Sequence, residues 1–129
     1  MQSNPVATWH KLLKQHDVDG LDAFLADDAV FHSPVVHKPQ IGKAITKMYL
    51  AAAFKVFGNE SFRYIRELAS DRDAILEFEL EIDGLSINGV DMIKWNENAE
   101  VTEFKVMLRP LKAVNLIHEK MAAMLQTGR

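Results

Sequence analysis

The sequence predicts one α+β domain in which helices come first and an antiparallel sheet follows. Apolar residues recur at helical spacing through most of the first 58 positions and then switch to strict alternation. The alternation is cleanest where Leu76, Phe78, Leu80 and Ile82 interleave with Glu77, Glu79 and Glu81. No strand–helix–strand pattern recurs, which argues against a parallel α/β sheet.

Asn4-Pro5 opens the first helix, because Asn accepts from orphan N–H groups and proline's missing N–H costs nothing there. Val6, Trp9, Leu12, Leu13 and His16 then mark a face up to about Asp17, and Asp17-Val18-Asp19-Gly20 breaks it. A short helix follows with Leu21, Phe24 and Leu25 on one side, ended by Asp27-Asp28. Ala29 to Ser33 reads as a strand stopped by Pro34, and the segment from Pro34 to Ile41 as a loop. Gly42 begins a longer helix with Ile45, Met48, Tyr49, Ala52, Ala53 and Val56 inward, closed by Gly58-Asn59. Phe62, Tyr64 and Leu68 alternate along the next strand, ahead of the Leu76–Ile82 strand. Two more strands, Ile87 to Trp95 and Val101 to Leu108, flank the turn Asn96-Glu97-Asn98-Ala99. After Arg109-Pro110 a last helix carries Leu111, Val114, Ile117, Met121, Met124 and Leu125.

The 129 residues fit one domain with one core, and 48% hydrophobic with 26% charged residues is globular composition. Phosphate binding needs clustered cations, but the 15 Lys and Arg are scattered and outnumbered by 18 Asp and Glu. Neither nucleic acid nor a membrane surface is expected as a partner. No apolar run reaches bilayer length, and Met1-Gln2-Ser3-Asn4-Pro5 lacks the regions of a signal peptide, so the expected location is cytoplasmic. Cysteine is absent, which removes disulfides and thiolate chemistry. His32 with His37, and His10 with His16, lack metal-helix spacing, and no Gly-x-Gly phosphate loop occurs. No metal and no cofactor are expected.

Three stretches carry a family resemblance: Ala26-Asp27-Asp28-Ala29-Val30-Phe31-His32-Ser33-Pro34, then Gly42 opening a helix, then Val90-Asp91-Met92-Ile93-Lys94-Trp95-Asn96-Glu97. The chain resembles the nuclear transport factor 2-like superfamily, and within it the SnoaL-like group that includes ketosteroid isomerases and polyketide cyclases. The resemblance covers roughly residues 5 to 110, with a C-terminal helix at about 110–126 as an extension. It implies a cone-shaped curved antiparallel sheet, wrapped by the N-terminal helices around an apolar pocket. It also implies a homodimer through the convex sheet face, which would carry Glu77, Glu79, Glu81, Lys105 and Arg109. In the isomerases a general-base Asp precedes the strand-ending proline, and that position here is Ser33, no unaided base near neutral pH. The isomerase tyrosine on the first helix falls at about Leu12. The third functional residue, a carboxyl on a sheet strand, matches Asp91. Steroid isomerisation by that set of three is therefore not expected.

Asp91 interrupts an apolar strand, and the next hairpin decides where it points. With an even loop it shares a face with Thr102, Phe104 and Val106. With an odd loop it joins Glu103, Lys105 and Met107, as a solvated partner of Lys105. The resemblance favours the pocket, where desolvation would raise its pKa. Ser33 and His32 point to opposite faces, and the family position turns Ser33 inward beside Phe31. His37, in the proline-bounded loop, is either a surface histidine or a proton shuttle at the cone mouth. The expected catalytic set is Asp91, Ser33 and His37. The expected lining is Trp9, Leu13, Phe31, Met48, Tyr49, Ala52, Phe104 and Leu108, with packing as the alternative role for most of them. Tyr49 is singled out because a buried phenol needs a partner. Two function classes follow: proton-transfer chemistry on a small hydrophobic metabolite through Asp91, or binding of such a molecule without chemistry. A dimerising module whose cone is filled by side chains is a third.

Overall fold

The computed structural model describes residues 4–127; Met1–Ser3, read above as part of a polar N-terminus, and residues 128–129 lie outside them. The elements run α1 (Val6–Gln15), α2 (Leu21–Phe24), β1 (Leu25–His32), β2 (Gln40–Ile41), α3 (Lys43–Phe57), β3 (Arg63–Ala69), β4 (Asp73–Ile82), β5 (Leu85–Trp95), β6 (Val101–Arg109) and α4 (Leu111–Thr127). The six strands form one open, curved sheet in the order β2-β1-β6-β5-β4-β3. The meander β3 to β6 is antiparallel, and β1 joins it parallel to β6. No described helix is long and apolar enough to cross a membrane.

The start of α1 follows the expected chemistry: the Val6 N–H donates to Asn4 Oδ1 at 2.8 Å. Its end comes at Gln15, where His16 turns left-handed (φ 52°) and the chain closes back on Leu12 and Leu13 carbonyls. The second helix is shorter than expected. Leu25 is already strand, and Asp27 and Asp28 are exposed strand residues rather than a helix end. They lie where the pairing of β1 with β6 slips between Leu25 and Val30. A bulge lets two neighbouring carboxylates face water together. The expected loop after Pro34 contains the two-residue β2, paired to Val30 and Phe31. Gly42, at φ 115°, supplies a conformation that side-chain-bearing residues avoid, and α3 starts from it.

The inward face of α3 is wider than the sequence suggested. Thr46, Leu50, Phe54 and Phe57 are buried along with Ala52 and Val56, whereas Ile45 and Met48 are only partly covered. Leu50 and Phe54 belong to a core with Trp9, Phe24, Leu76 and Phe104. Ala52, Val56 and Phe57 belong to a second core that α4 completes through Ala113, Ile117 and Met121. The last helix thus packs on the inner side of the sheet and on α3, and Leu111 at its start is exposed.

The strand pattern of β4 is as expected, with Leu76, Phe78, Leu80 and Ile82 inward. Along β3 the alternation does not hold: Tyr64 faces inward opposite Phe78, but Leu68 is 63% exposed. A register shift between Tyr64 and Arg66 inserts one residue, and one residue reverses every face beyond it. The outer face therefore carries two rows set by the register, Leu68–Ile75–Met92–Lys105 and Arg66–Glu77–Val90–Met107.

Candidate functional site: a buried carboxyl held by a tyrosine

The β5–β6 hairpin resolves the two readings of Asp91. Asp91 lies directly opposite Val106, and Ile93 opposite Phe104, so the carboxyl enters the apolar face. Lys105 is opposite Met92 on the other face, and no Asp91–Lys105 pair forms. Thr102 leaves the inner set, because the register slips between Lys94↔Glu103 and Trp95↔Val101 and buries Val101 instead.

Asp91 is 6% exposed, one of two polar residues buried in the core among the described residues. Its Oδ2 accepts a hydrogen bond from the Tyr64 hydroxyl at 2.5 Å, and that hydroxyl accepts from Trp9 Nε1 at 2.7 Å. The indole is itself immobilised, stacked on Phe24 and Phe54 with an edge contact to Phe104 at 4.8 Å. Three elements thus hold one short polar chain: α1 gives the donor, β3 the relay and β5 the carboxyl.

Burial dominates the electrostatics. Desolvation penalises the carboxylate and lifts the Asp91 pKa to about 7, although the Tyr64 hydrogen bond opposes it. The Tyr64 phenol is pushed well above its ordinary value, by burial first and then by the neighbouring Asp91 charge. Near neutrality Asp91 is therefore poised between acid and base, while Tyr64 stays a fixed donor.

Beside the carboxyl lies an apolar cavity of ≈ 30 Å³, walled by Trp9, Leu13, Phe62, Tyr64 and Phe104 among others. That is room for about one or two waters. Leu13, Phe62 and Tyr64 also form the floor of an outer cleft of ≈ 500 Å³, whose rim carries His10, Lys14, His16, Glu60 and Arg63.

Of the residues expected from the sequence, the structure brings together Asp91, Trp9, Leu13 and Phe104 at this cavity. Ser33 is partly buried past the end of β1, where its Oγ accepts from the Val35 N–H at 3.1 Å, and it is not on the cavity wall. His37 is exposed in the loop before β2. His32 points outward, as expected, and its Nε2 lies 3.1 Å from Glu103. Phe31 and Tyr49 stack on each other at 4.9 Å inside the core. Met48 and Ala52 line a surface groove between α3 and α4, and Leu108 packs into the second core.

The residue that sequence reasoning missed is Tyr64. The requirement that a buried phenol find a partner applied equally to both tyrosines, and it was assigned to Tyr49. The inward phase of Tyr64, shared with Phe78, was the available signal.

An open curved sheet closed by helices around one buried carboxyl defines a nuclear transport factor 2-like domain. The SnoaL-like domain model matches residues 6–104, and the chain belongs to that family. A steroid delta-isomerase from Pseudomonas aeruginosa is 36% identical, over 95% of this chain and 89% of that one, with a TM-score of 0.88. An uncharacterized protein with a cystatin-like fold from Silicibacter pomeroyi is 31% identical over 92% and 82%, at a TM-score of 0.84. The epoxide hydrolase/cyclase-like enzyme SalBIII shares the fold at 16% identity, over 81% and 87%, with a TM-score of 0.64. No functionally curated protein matches the chain.

Proposed function

We propose that this domain binds a small apolar molecule bearing a carbonyl or hydroxyl oxygen, and moves a proton on it through Asp91. The observation that carries the reading is a carboxyl poised near pH 7 in an apolar interior, one oxygen anchored by Tyr64 and the residue on the cavity wall. Such a group donates to a carbonyl oxygen when protonated and accepts a proton when ionised, in a setting where electrostatic interactions are strong. The steroid delta-isomerase relative supports isomerisation as the reaction class. The ≈ 30 Å³ beside Asp91 supports a compact reacting group rather than a fully enclosed polycycle. Leu13 and Phe62, both partly buried, must turn aside to admit it.

The test uses the β,γ-unsaturated isomer of cyclohexenone, whose conversion to the conjugated ketone is read by ultraviolet absorbance. Asp91→Asn is expected to lower kcat by about 10²-fold, and an unchanged rate removes Asp91 from the mechanism. A second reading, binding without chemistry, is favoured by one feature: Asp91 is the sole carboxylate on the cavity wall among the described residues. Native mass spectrometry of protein from its host separates the two, since a retained unreacted ligand speaks for binding.

We also propose that the convex face pairs with a second copy of the chain. Leu68 (63% exposed), Ile75 (42%) and Met107 (51%) form an apolar band in a groove of ≈ 370 Å³. Arg66, Glu77 and Arg109 flank it. Both signs of charge on one face suit a self-complementary two-fold contact. Met107→Glu is expected to turn a sedimenting dimer into monomer without changing the circular dichroism spectrum; an unaffected dimer would place the interface elsewhere.

A further inference from the structure

Met48 and Ala52, read from the sequence as pocket lining, face the end of α4 across a surface groove of ≈ 420 Å³. The groove shares no lining residue with the cavity beside Asp91 or with the outer cleft. Its origin is in the packing of α4. Ala113 and Ile117 are fully buried in the second core, whereas Met124 and Leu125, nearer the end of the helix, are only half-buried. Opposite them α3 presents Ala44, Ala51 and Ala52, too short to fill the space between the helices. Val18, from the connection between α1 and α2, adds a third wall. Ala44, Met48, Ala51 and Lys55 recur every three or four positions and so run down one side of α3. That face is about 16 Å long at the rise of an α-helix.

The rim is cationic. Lys47 and Lys55 border the groove, and no carboxylate among the described residues does. Asp22 takes the Lys47 ammonium at 3.1 Å, while the exposed Lys55 ammonium has no hydrogen-bond or ion-pair partner among the described residues. Lys55 therefore leaves an unbalanced positive charge at the edge of an apolar trough. The character of the walls narrows the occupant further. No aromatic ring lines the groove among the described residues, so the walls offer no stacking surface to a planar ligand. The thioethers of Met48 and Met124 adapt to a flexible chain, and the lysine stems extend the apolar wall while their charges stay in water. A space of ≈ 420 Å³ is on the scale of a small-molecule site. An apolar chain with one anionic end meets all of these features. We propose that the groove between α3 and α4 binds a medium-chain alkyl carboxylate, its hydrocarbon lying along Ala51 between Met48 and Met124 and its carboxylate at the Lys55 ammonium. This site is separate from Asp91, and its occupant is bound without chemical change.

Full-length protein, isotopically labelled at its methionine methyl groups, is titrated with decanoate and followed by nuclear magnetic resonance. The Met48 and Met124 signals are expected to move and saturate, while those of Met92 and Met107 on the convex face stay in place. Kd is expected to fall about 3–10-fold for each two carbons added from hexanoate through octanoate to decanoate, because each methylene leaves water. Lys55→Glu reverses the rim charge at an exposed position, and is expected to weaken decanoate about 3–10-fold with Tm unchanged. Ala51→Phe fills the trough from a half-buried position, and is expected to weaken it about tenfold or more by steric exclusion. Equal affinity in wild type and Lys55→Glu would overturn the proposal, as would a Kd indifferent to chain length. So would shifts at Met92 and Met107 in place of Met48 and Met124, or shifts that begin only where decanoate forms micelles. Movement of the Met48 and Met124 signals on diluting the protein alone would put a second copy of the chain in the groove and overturn it equally.

Discussion

Replacing Asp91 by asparagine will make the protein more stable at pH 8 and leave it nearly unchanged at pH 4. The sign follows from the raised pKa. Between pH 4 and 7 the folded protein holds a proton that the unfolded chain has released. The stability this carboxyl contributes is full below its unfolded value and is lost as pH rises through the folded one. A carboxyl moved from 3.8 to about 7 forfeits about 2–4 kcal/mol across that window, at about 1.4 kcal/mol per pH unit. Asparagine stays neutral throughout, and its carbonyl oxygen can accept the Tyr64 hydroxyl. Urea denaturation at pH 5 and pH 8 reads the difference directly. Parallel curves for the two proteins would mean that Asp91 is ionised in the fold at both pH values, against the desolvated setting described here. A buried charge retained at such a cost, where a neutral isostere fits, accords with a chemical role.

The second large effect is expected at Trp9. Truncation to alanine removes a fully packed indole from between Phe24, Phe54 and Phe104. It also strips the Tyr64 hydroxyl of its donor. Loss of a buried aromatic ring costs about 3–5 kcal/mol, and the space left opens onto the ≈ 30 Å³ beside Asp91. Trp9→Phe keeps one ring in the stack and loses the pyrrole half of the indole together with its N–H, for about 1–3 kcal/mol. Equilibrium unfolding is expected to rank Trp9→Ala well below Trp9→Phe. Equal losses would show that the pyrrole half with its Nε1–Oη bond carries the stability, not the six-membered ring in the stack.

Much of this fold was legible because its signals are local. The period of β4 places Leu76, Phe78, Leu80 and Ile82 inside without reference to any other strand. Asp91 falls opposite Val106 by a route the hairpin length alone would not give: the loop from Asn96 to Glu100 has an odd five residues, and the slip between Lys94 and Trp95 restores the inward register. Bulges were not legible, since one inserted residue leaves no mark on composition. The slip after Tyr64 turns Leu68 outward, and the slip in β1 exposes Asp27 and Asp28. The breadth of the α3 face was hidden for a related reason. A helix pressed between two cores buries residues on more than one stripe, so Leu50 and Phe54 fall outside a single helical period.

Asp91 in an apolar strand and the helical face of α1 belong to the sequence, because each depends on residue type or on neighbours within a few positions. The partners of that carboxyl belong to the tertiary structure alone. Trp9 meets Tyr64 across 55 residues, Tyr64 meets Asp91 across 27, and His10 meets Glu67 across 57. Contacts at such separations arise only when the curled sheet brings β3 and β5 together beneath α1, and no local pattern records which side chains will then touch.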